Sequence, residues 1–148
     1  LQRLITIFDL MADGVCLINK DLTIEYMNSV MVKDFGDGIG QRCHQILEDR
    51  PEICHWCTAT KVFNGEKLRR EMYSRRAHKF YDIVEVPFEN EDGTTAKLSI
   101  YRDVSAKKRQ EERLKASKEQ YRDLYGKEAS STWKLNSIKR TEHRFRCC

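Results

Sequence analysis

The stretch Tyr101-Arg102-Asp103-Val104-Ser105 leads directly into a charged segment, residues 106–125. The first part has the pattern of a final strand, and its Asp-x-Ser ending places a carboxylate and a hydroxyl where a helix would begin. Residues 106–125 consist mainly of strong helix formers and contain neither Gly nor Pro. Because a helix this polar buries little apolar surface by itself, we expect it to transmit a conformational change of the preceding domain. This favours signalling over catalysis.

Length and charge limit the possible classes of protein. The 148 residues suffice for one domain with extensions. Residues 1–102 carry 14 Lys/Arg against 16 Asp/Glu, whereas residues 103–148 carry 13 against 7. No stripe of aromatic residues accompanies this basic segment, so we expect no nucleic-acid binding.

The sequence shows no targeting or membrane segment. No apolar run approaches the roughly 20 residues of a membrane span, and no signal peptide is visible. We therefore expect a cytoplasmic location. Because the chain starts at Leu1 without a Met, we expect it to be a piece of a longer protein, which can itself be membrane-anchored.

Hydrophobic periodicity predicts an α+β domain with a five-stranded antiparallel sheet and short helices on one face. Two short strand-like runs come first, several short helices follow, and three long strand-like runs complete the domain. The predicted elements are strands at 15–18 and 23–27, helices at 30–35, 41–47 and 59–63, and strands at 67–74, 79–88 and 94–102.

Four segments follow from this reading. Residues 1–12 form an N-terminal amphipathic helix, 13–105 the domain, and 106–125 a signalling helix. The pattern fails past Tyr125, so we expect residues 126–148 to be poorly ordered, or ordered only by a partner.

Several short motifs at these spacings resemble those of a PAS domain, or sensory box. They are Ala12-Asp13-Gly14-Val15, Ile24-Glu25-Tyr26-Met27-Asn28, Gly40, Asn64-Gly65-Glu66 and Asp103-Val104-Ser105. In that family the last motif is usually Asp-x-Thr, whose carboxylate and hydroxyl tie the sheet to the exit helix. Ser105 departs from the pattern but keeps the hydroxyl, so Asp103 and Ser105 are the expected signalling joint.

The resemblance implies a sensory module of a bacterial or archaeal multi-domain sensor, such as a sensor histidine kinase of a two-component system. Such a module senses a small ligand or redox state and relays it to an output domain of the same polypeptide. A cofactor-free dimerisation or protein-interaction module is the alternative. We expect no enzyme in this chain, because no nucleophile elbow or phosphate loop is present. The expected ligand pocket is lined by apolar residues of the central strands and short helices: Ile46, Leu47, Val62, Phe63, Val84 and Ile100.

A cysteine and histidine cluster is the sharpest chemical feature. Cys43-His44 precedes Cys54-His55-Trp56-Cys57, and three thiolates with an imidazole can hold zinc or an iron–sulfur cluster. The thiols can instead form a redox-responsive dithiol, or serve as small buried hydrophobic groups. All three interpretations stay open at this point.

Flavin and haem are disfavoured as cofactors. Gly40-Gln41-Arg42-Cys43 resembles the Gly-x-Asn-Cys signature of flavin-binding PAS photoreceptors, but Arg42 replaces the Asn. Haem would need His44 or His55 as its axial ligand, and a lone His is more often a surface or satisfied residue. The cofactor is thus unknown, and the domain can have none.

The terminal helices favour a homodimer. Leu114, Ser117, Tyr121 and Leu124 fall on one heptad seam of the exit helix. The apolar stripe of residues 1–11 also needs a partner. A polar seam of this kind predicts a weak, adjustable contact.

Overall fold

The computed structural model describes the backbone of residues 2–144 and the side chains of residues 2–126. It contains the predicted α+β arrangement of five strands and five helices among these residues. In chain order they are α1 (Gln2–Leu10), β1 (Gly14–Ile18), β2 (Ile24–Met27), α2 (Ser29–Phe35), α3 (Cys43–Glu48), α4 (Ala59–Phe63), β3 (Leu68–Ser74), β4 (Lys79–Glu89), β5 (Thr95–Asp103) and α5 (Ser105–Arg144).

The five strands form one antiparallel sheet in the order β2-β1-β5-β4-β3. β5 lies at its centre, where Tyr101 pairs with Gly14 on one side and with Ile83 on the other. The predicted turn between β4 and β5 is confirmed, since the Gly93 N–H donates to the Asn90 carbonyl at 2.9 Å. The sheet therefore connects its centre directly to the start of α5.

The core lies between the sheet and the short helices. α2 contacts β1 and β2, and α4 contacts β4 and β5. Alternate strand residues point into this layer, because successive side chains of a strand face opposite sides. The buried cluster comprises Cys16, Ile18, Ile24, Met27, Met31, Phe35, Ile46, Leu47, Tyr81, Ile83 and Tyr101.

The buried Asn28 ties three elements together. Its Oδ1 accepts hydrogen bonds from the Val15 N–H at 2.9 Å and from the Met31 N–H at 3.1 Å. Its Nδ2 donates to the carbonyls of Phe8 at 2.8 Å and Asp13 at 3.0 Å. One side chain thus caps α2 and holds the end of α1 against β1. Close packing in this region also requires Gly14, where an added Cβ would lie 2.6 Å from the Met31 sulfur.

The exit helix is longer than predicted. The chain divides into two compact units, one ending at Ala106 and the other starting at Lys107. α5 continues to Arg144, past the boundary predicted at residue 125, because residues 127–144 contain no Gly or Pro to interrupt it. The prediction that the tail is poorly ordered stays a prediction, and its closing Cys147-Cys148 lies outside the described residues. None of the described helices combines the length and apolar character that crossing a membrane requires.

Candidate functional site

A small cavity with both polar and apolar lining residues lies between the sheet and the segment that carries the cysteines. Its volume is about 40 Å³, which is room for water-sized species only. Residues from β1, α3, the loop after α3, β3 and β5 surround it. They are Ile18, Cys43, His44, Leu47, Glu48, Cys54, Trp56, Cys57, Thr58, Arg70, Lys97 and Tyr101.

A buried ion pair lies beside this cavity, and one of its members, Lys97, lines it. The Lys97 ammonium lies 2.8 Å from Glu85 Oε1, and both side chains are almost fully buried. The Thr58 hydroxyl donates to the other carboxylate oxygen at 2.7 Å. Burial alone would raise the pKa of Glu85, but the charge and hydrogen bond of Lys97, with the Thr58 bond and Arg70, outweigh it and lower that pKa. Glu85 is therefore ionised at neutral pH.

Two buried polar atoms at the cavity lack hydrogen-bond partners among the described residues. They are His44 Nδ1 and Arg70 Nε, and both side chains line the cavity. Arg70 Nε lies 3.6 Å from Glu85 Oε2, too far for a hydrogen bond. Buried polar groups are normally satisfied, so this cavity is suited to small polar species.

The three predicted cysteines line the same cavity. Cys43 begins α3, and Cys54 and Cys57 flank a tight turn closed by the Cys57 N–H donating to the Cys54 carbonyl at 3.0 Å. All are free thiols. Burial raises the pKa of Cys43 to about 11, with Lys97 opposing it and the other two thiols adding to it. Burial and the nearby Glu48 likewise raise the pKa of Cys54. At neutral pH these two thiols are protonated.

The two histidines of the predicted cluster, His44 and His55, lie in different environments. His44 is buried at the cavity, whereas His55 is exposed and packs edge-on against Trp56, with ring centroids 5.3 Å apart. Within the part of the chain that the structure describes, no three His, Cys, Asp or Glu side chains are grouped as a metal site. The zinc or iron–sulfur site stays a prediction that this geometry does not support.

The six residues predicted to line one apolar pocket do not lie together in the structure. Leu47 lines the cavity, while Ile46 and Val62 are buried and Phe63 is half-buried. Val84 and Ile100 pair with each other across β4 and β5. They alternate with the core residues Ile83 and Tyr101, and so lie on the opposite face of the sheet. The difference arises because the sequence pattern shows apolar residues on both faces of β4.

The predicted joint is a hydrogen-bonded connection between β4, β5 and the start of α5. Ser105 Oγ accepts from the Phe80 N–H at 2.9 Å, and Asp103 Oδ1 accepts from the Ser105 N–H at 2.9 Å. Lys79 lies 3.4 Å from Asp103 and 2.8 Å from Asp34 on α2. Burial would raise the pKa of Asp103, but the Ser105 bonds and Lys79 lower it, so the joint carries an ionised carboxylate.

Solved structures with the same fold are PAS domains. The PAS domain of nitrogen regulation protein NR(II) from Vibrio parahaemolyticus aligns with a TM-score of 0.54 at 13% identity, covering 67% of this chain and 95% of that one. The PAS domain of an HTR-like protein from Haloarcula marismortui aligns with a TM-score of 0.51 at 20% identity, covering 69% and 89%. The matched part of this chain therefore has the PAS fold.

The structural likeness extends to a protein that was solved with a ligand and DNA. The VqmA–ligand–DNA complex from Vibrio cholerae aligns with this chain with a TM-score of 0.52 at 12% identity, covering 70% of this chain and 51% of that one. Neither a protein-family model nor a curated protein matches the sequence. The likeness therefore lies in the fold.

Sequence reasoning missed the central ion pair of this PAS fold. Glu85 follows Tyr81 and Ile83 at alternate positions, and Lys97 precedes Ser99 and Tyr101 in the same way. The available signal was a charged residue at an alternate position of a strand, on the same face as its buried neighbours. Their pairing depends on the register of β4 against β5.

Proposed function

We propose that this PAS domain is a sensory signalling module whose input is the oxidation state of its cysteine cluster. Its output is the state of the Asp103–Ser105 joint, which α5 carries to an output domain of the same polypeptide. One observation supports this above all: β5 places Lys97 beside the thiols and ends in Asp103 at the joint. A single strand thus links input and output.

The size of the cavity favours a redox input over an organic ligand. About 40 Å³ does not accommodate an organic molecule, whereas a sulfur–sulfur bond requires no added atoms. We expect Cys54 and Cys57, which share a tight turn, to form the disulfide. Two thiols lose two protons and two electrons to oxidised glutathione, which is reduced to two glutathione molecules. Because attack requires a thiolate, oxidation should accelerate as the pH rises above 7.

The path from thiols to joint runs through Thr58. This residue directly follows Cys57, and its hydroxyl donates to Glu85 at 2.7 Å. A changed turn would alter that bond and, through the Glu85–Lys97 pair, the contact between β4 and β5. The same two strands hold Phe80 and Asp103 at the joint.

The test compares reduced protein with protein treated with oxidised glutathione. All samples carry Cys147→Ser and Cys148→Ser, so that terminal thiols do not react. Mass spectrometry identifies the disulfide, and hydrogen exchange measures peptides that cover residues 98–108. We expect oxidation to change exchange at the joint. Cys57→Ser should abolish this response, whereas Cys16→Ala, which removes a thiol outside the cavity lining, should keep it.

Three results would contradict the redox input, and the first two concern the cysteines themselves. One is a disulfide that forms with no change in exchange at the joint. The other is about one equivalent of zinc or iron in anaerobically purified protein, lost in the Cys54→Ser/Cys57→Ser double variant, which would make the cluster a metal site. If the protein forms no disulfide, holds no metal and still responds to a small ligand, the input is ligand binding outside the cysteine cluster.

We further propose that α1 pairs with a second copy of the chain. Leu4, Ile7 and Leu10 recur along this helix and are all exposed, so the stripe has no partner within the described chain. Light scattering should show a dimer whose dissociation constant rises at least tenfold in Ile7→Lys. Thr6→Lys adds the same charge at a neighbouring polar position and is the matched control. An unchanged dimer in Ile7→Lys would exclude α1 as the contact.

A further inference from the structure

A second, larger cleft opens beside the cysteine cavity. Its volume is about 660 Å³, within the usual range for small-molecule sites. The end of α3, the loop that follows it, the end of β3 and the turn after β3 form its walls. It shares Trp56 with the cysteine cavity, and Trp56 lies between Cys54 and Cys57 in sequence.

Three guanidinium groups line this cleft against two carboxylates, those of Glu48 and Asp49. Burial raises the pKa of Glu48 against the opposing charges of Arg70, Arg50 and Lys97. Asp49 lies 3.6 Å from one nitrogen of Arg76. The balance of charge in the cleft is positive.

Two of the arginines have unused hydrogen-bonding capacity within the described residues. Arg50 Nε is buried without a hydrogen-bond partner, and Arg75 is exposed with no ion pair in that part of the chain. Arg76 differs, because its Nε donates to the Phe35 carbonyl at 3.2 Å. Guanidinium groups bind carboxylate and phosphate through paired N–H donors, so Arg50 and Arg75 are the groups available to an anion.

Aromatic surface lies next to these arginines. Trp56 is 43% exposed. Tyr73 is 45% exposed, but its ring contacts Phe80 on the outer face of the sheet, with ring centroids 4.9 Å apart. The Arg50 guanidinium carbon lies 5.1 Å from the centre of the Trp56 ring. This cation–π contact holds the guanidinium over the indole. A partly exposed indole beside guanidinium groups favours a flat ring that carries a negatively charged group.

We propose that this cleft binds an organic anion with a flat ring. The ring packs on the exposed part of Trp56, and its carboxylate or phosphate accepts hydrogen bonds from Arg50 and Arg75. Aromatic carboxylates and nucleotides share this chemistry. The site does not depend on the redox function proposed above, although an occupied Trp56 would also restrain the Cys54–Cys57 turn.

Fluorescence of Trp56 provides a direct measurement. The chain has two tryptophans, and Trp133→Phe leaves Trp56 as the single one. This protein is titrated with benzoate, AMP, adenosine and inorganic phosphate, and calorimetry repeats each titration. We expect saturable binding of benzoate or AMP, and whichever binds identifies the source of the anion. Adenosine and phosphate should bind at least tenfold more weakly, because each lacks one of the two features.

Arg75→Gln is the decisive variant, because Arg75 is exposed and its replacement should not affect folding. We expect it to weaken binding at least tenfold, while Arg3→Gln, an equal change of charge on α1, should leave binding unchanged. Thermal melts confirm that both variants are folded. The proposal is overturned if neither benzoate nor AMP binds saturably, if phosphate alone binds as tightly, or if the two variants weaken binding equally.

Discussion

The layer between sheet and helices has two halves that differ in chemistry. Beneath α2, the rings of Phe35, Tyr81 and Tyr101 pack with centroids 5.5–6.0 Å apart. On β4 and β5, the strands that α4 contacts, Glu85 and Lys97 form a buried ion pair. The apolar half is stabilised by non-directional burial, whereas the polar half depends on a few directional bonds. A chemical change in the polar half can therefore alter strand contacts while the apolar half preserves the fold.

The largest expected effect is in the apolar half. Phe35 is 3% exposed, and Phe35→Ala should lower the free energy of unfolding by about 4 kcal/mol, since it leaves a cavity among packed rings. Phe80→Ala is the matched control on the other face of the sheet, where the ring is 37% exposed. Urea denaturation should show a much smaller loss for Phe80→Ala. Equal losses would contradict the division into two halves.

Breaking the ion pair should have the next largest effect. Lys97→Met leaves the Glu85 carboxylate buried without its main partner, which costs about 3 kcal/mol. The double variant Lys97→Met/Glu85→Leu removes both charges of the pair. In the same denaturation experiment it should therefore regain at least half of the free energy of unfolding that Lys97→Met loses. A double variant that is less stable than Lys97→Met would show that the pair itself stabilises this half.

Acid should weaken the polar half through Glu85, with a smaller effect than the loss of the ion pair. The folded state lowers the pKa of Glu85 below its ordinary 4.5. The stabilisation is therefore complete above about pH 5 and is lost as the pH falls through the folded value. Denaturation at pH 6 to 3 should show that the stability difference between wild type and Glu85→Gln narrows towards acid. A constant difference would mean that Glu85 does not titrate differently in the folded and unfolded states.

The smallest effect is expected at the joint. Ser105→Ala removes the acceptor of the Phe80 N–H and should cost about 1 kcal/mol. Ser105→Thr keeps the hydroxyl and should retain wild-type stability. Hydrogen exchange of the Phe80 amide should accelerate in Ser105→Ala alone. Slow exchange in both variants would mean that the hydroxyl does not hold β4 to the joint.

Local patterns predicted much of the fold but less of the site. The hairpin turn at Asn90–Gly93 and the joint at Asp103–Ser105 could be identified because their chemistry is contained in a few adjacent residues. The wall residues Val84 and Ile100 were assigned to the wrong face, since periodicity alone does not distinguish the two sides of a strand that is apolar on both. Helix α5 extends past its predicted end at residue 125. The apolar residues after Tyr125 do not recur at helical spacing, but the residues there still permit a continuous helix.

The sequence by itself determined the order and type of the elements, because turn residues, helix formers and alternation act over a few neighbouring positions. It also identified the three cysteines as a group. Only the tertiary structure decided that these thiols face Lys97 and that Lys97 meets Glu85. Those contacts join distant residues, and they arise from the register of β4 on β5 and from the path of the loop after α3 across the sheet.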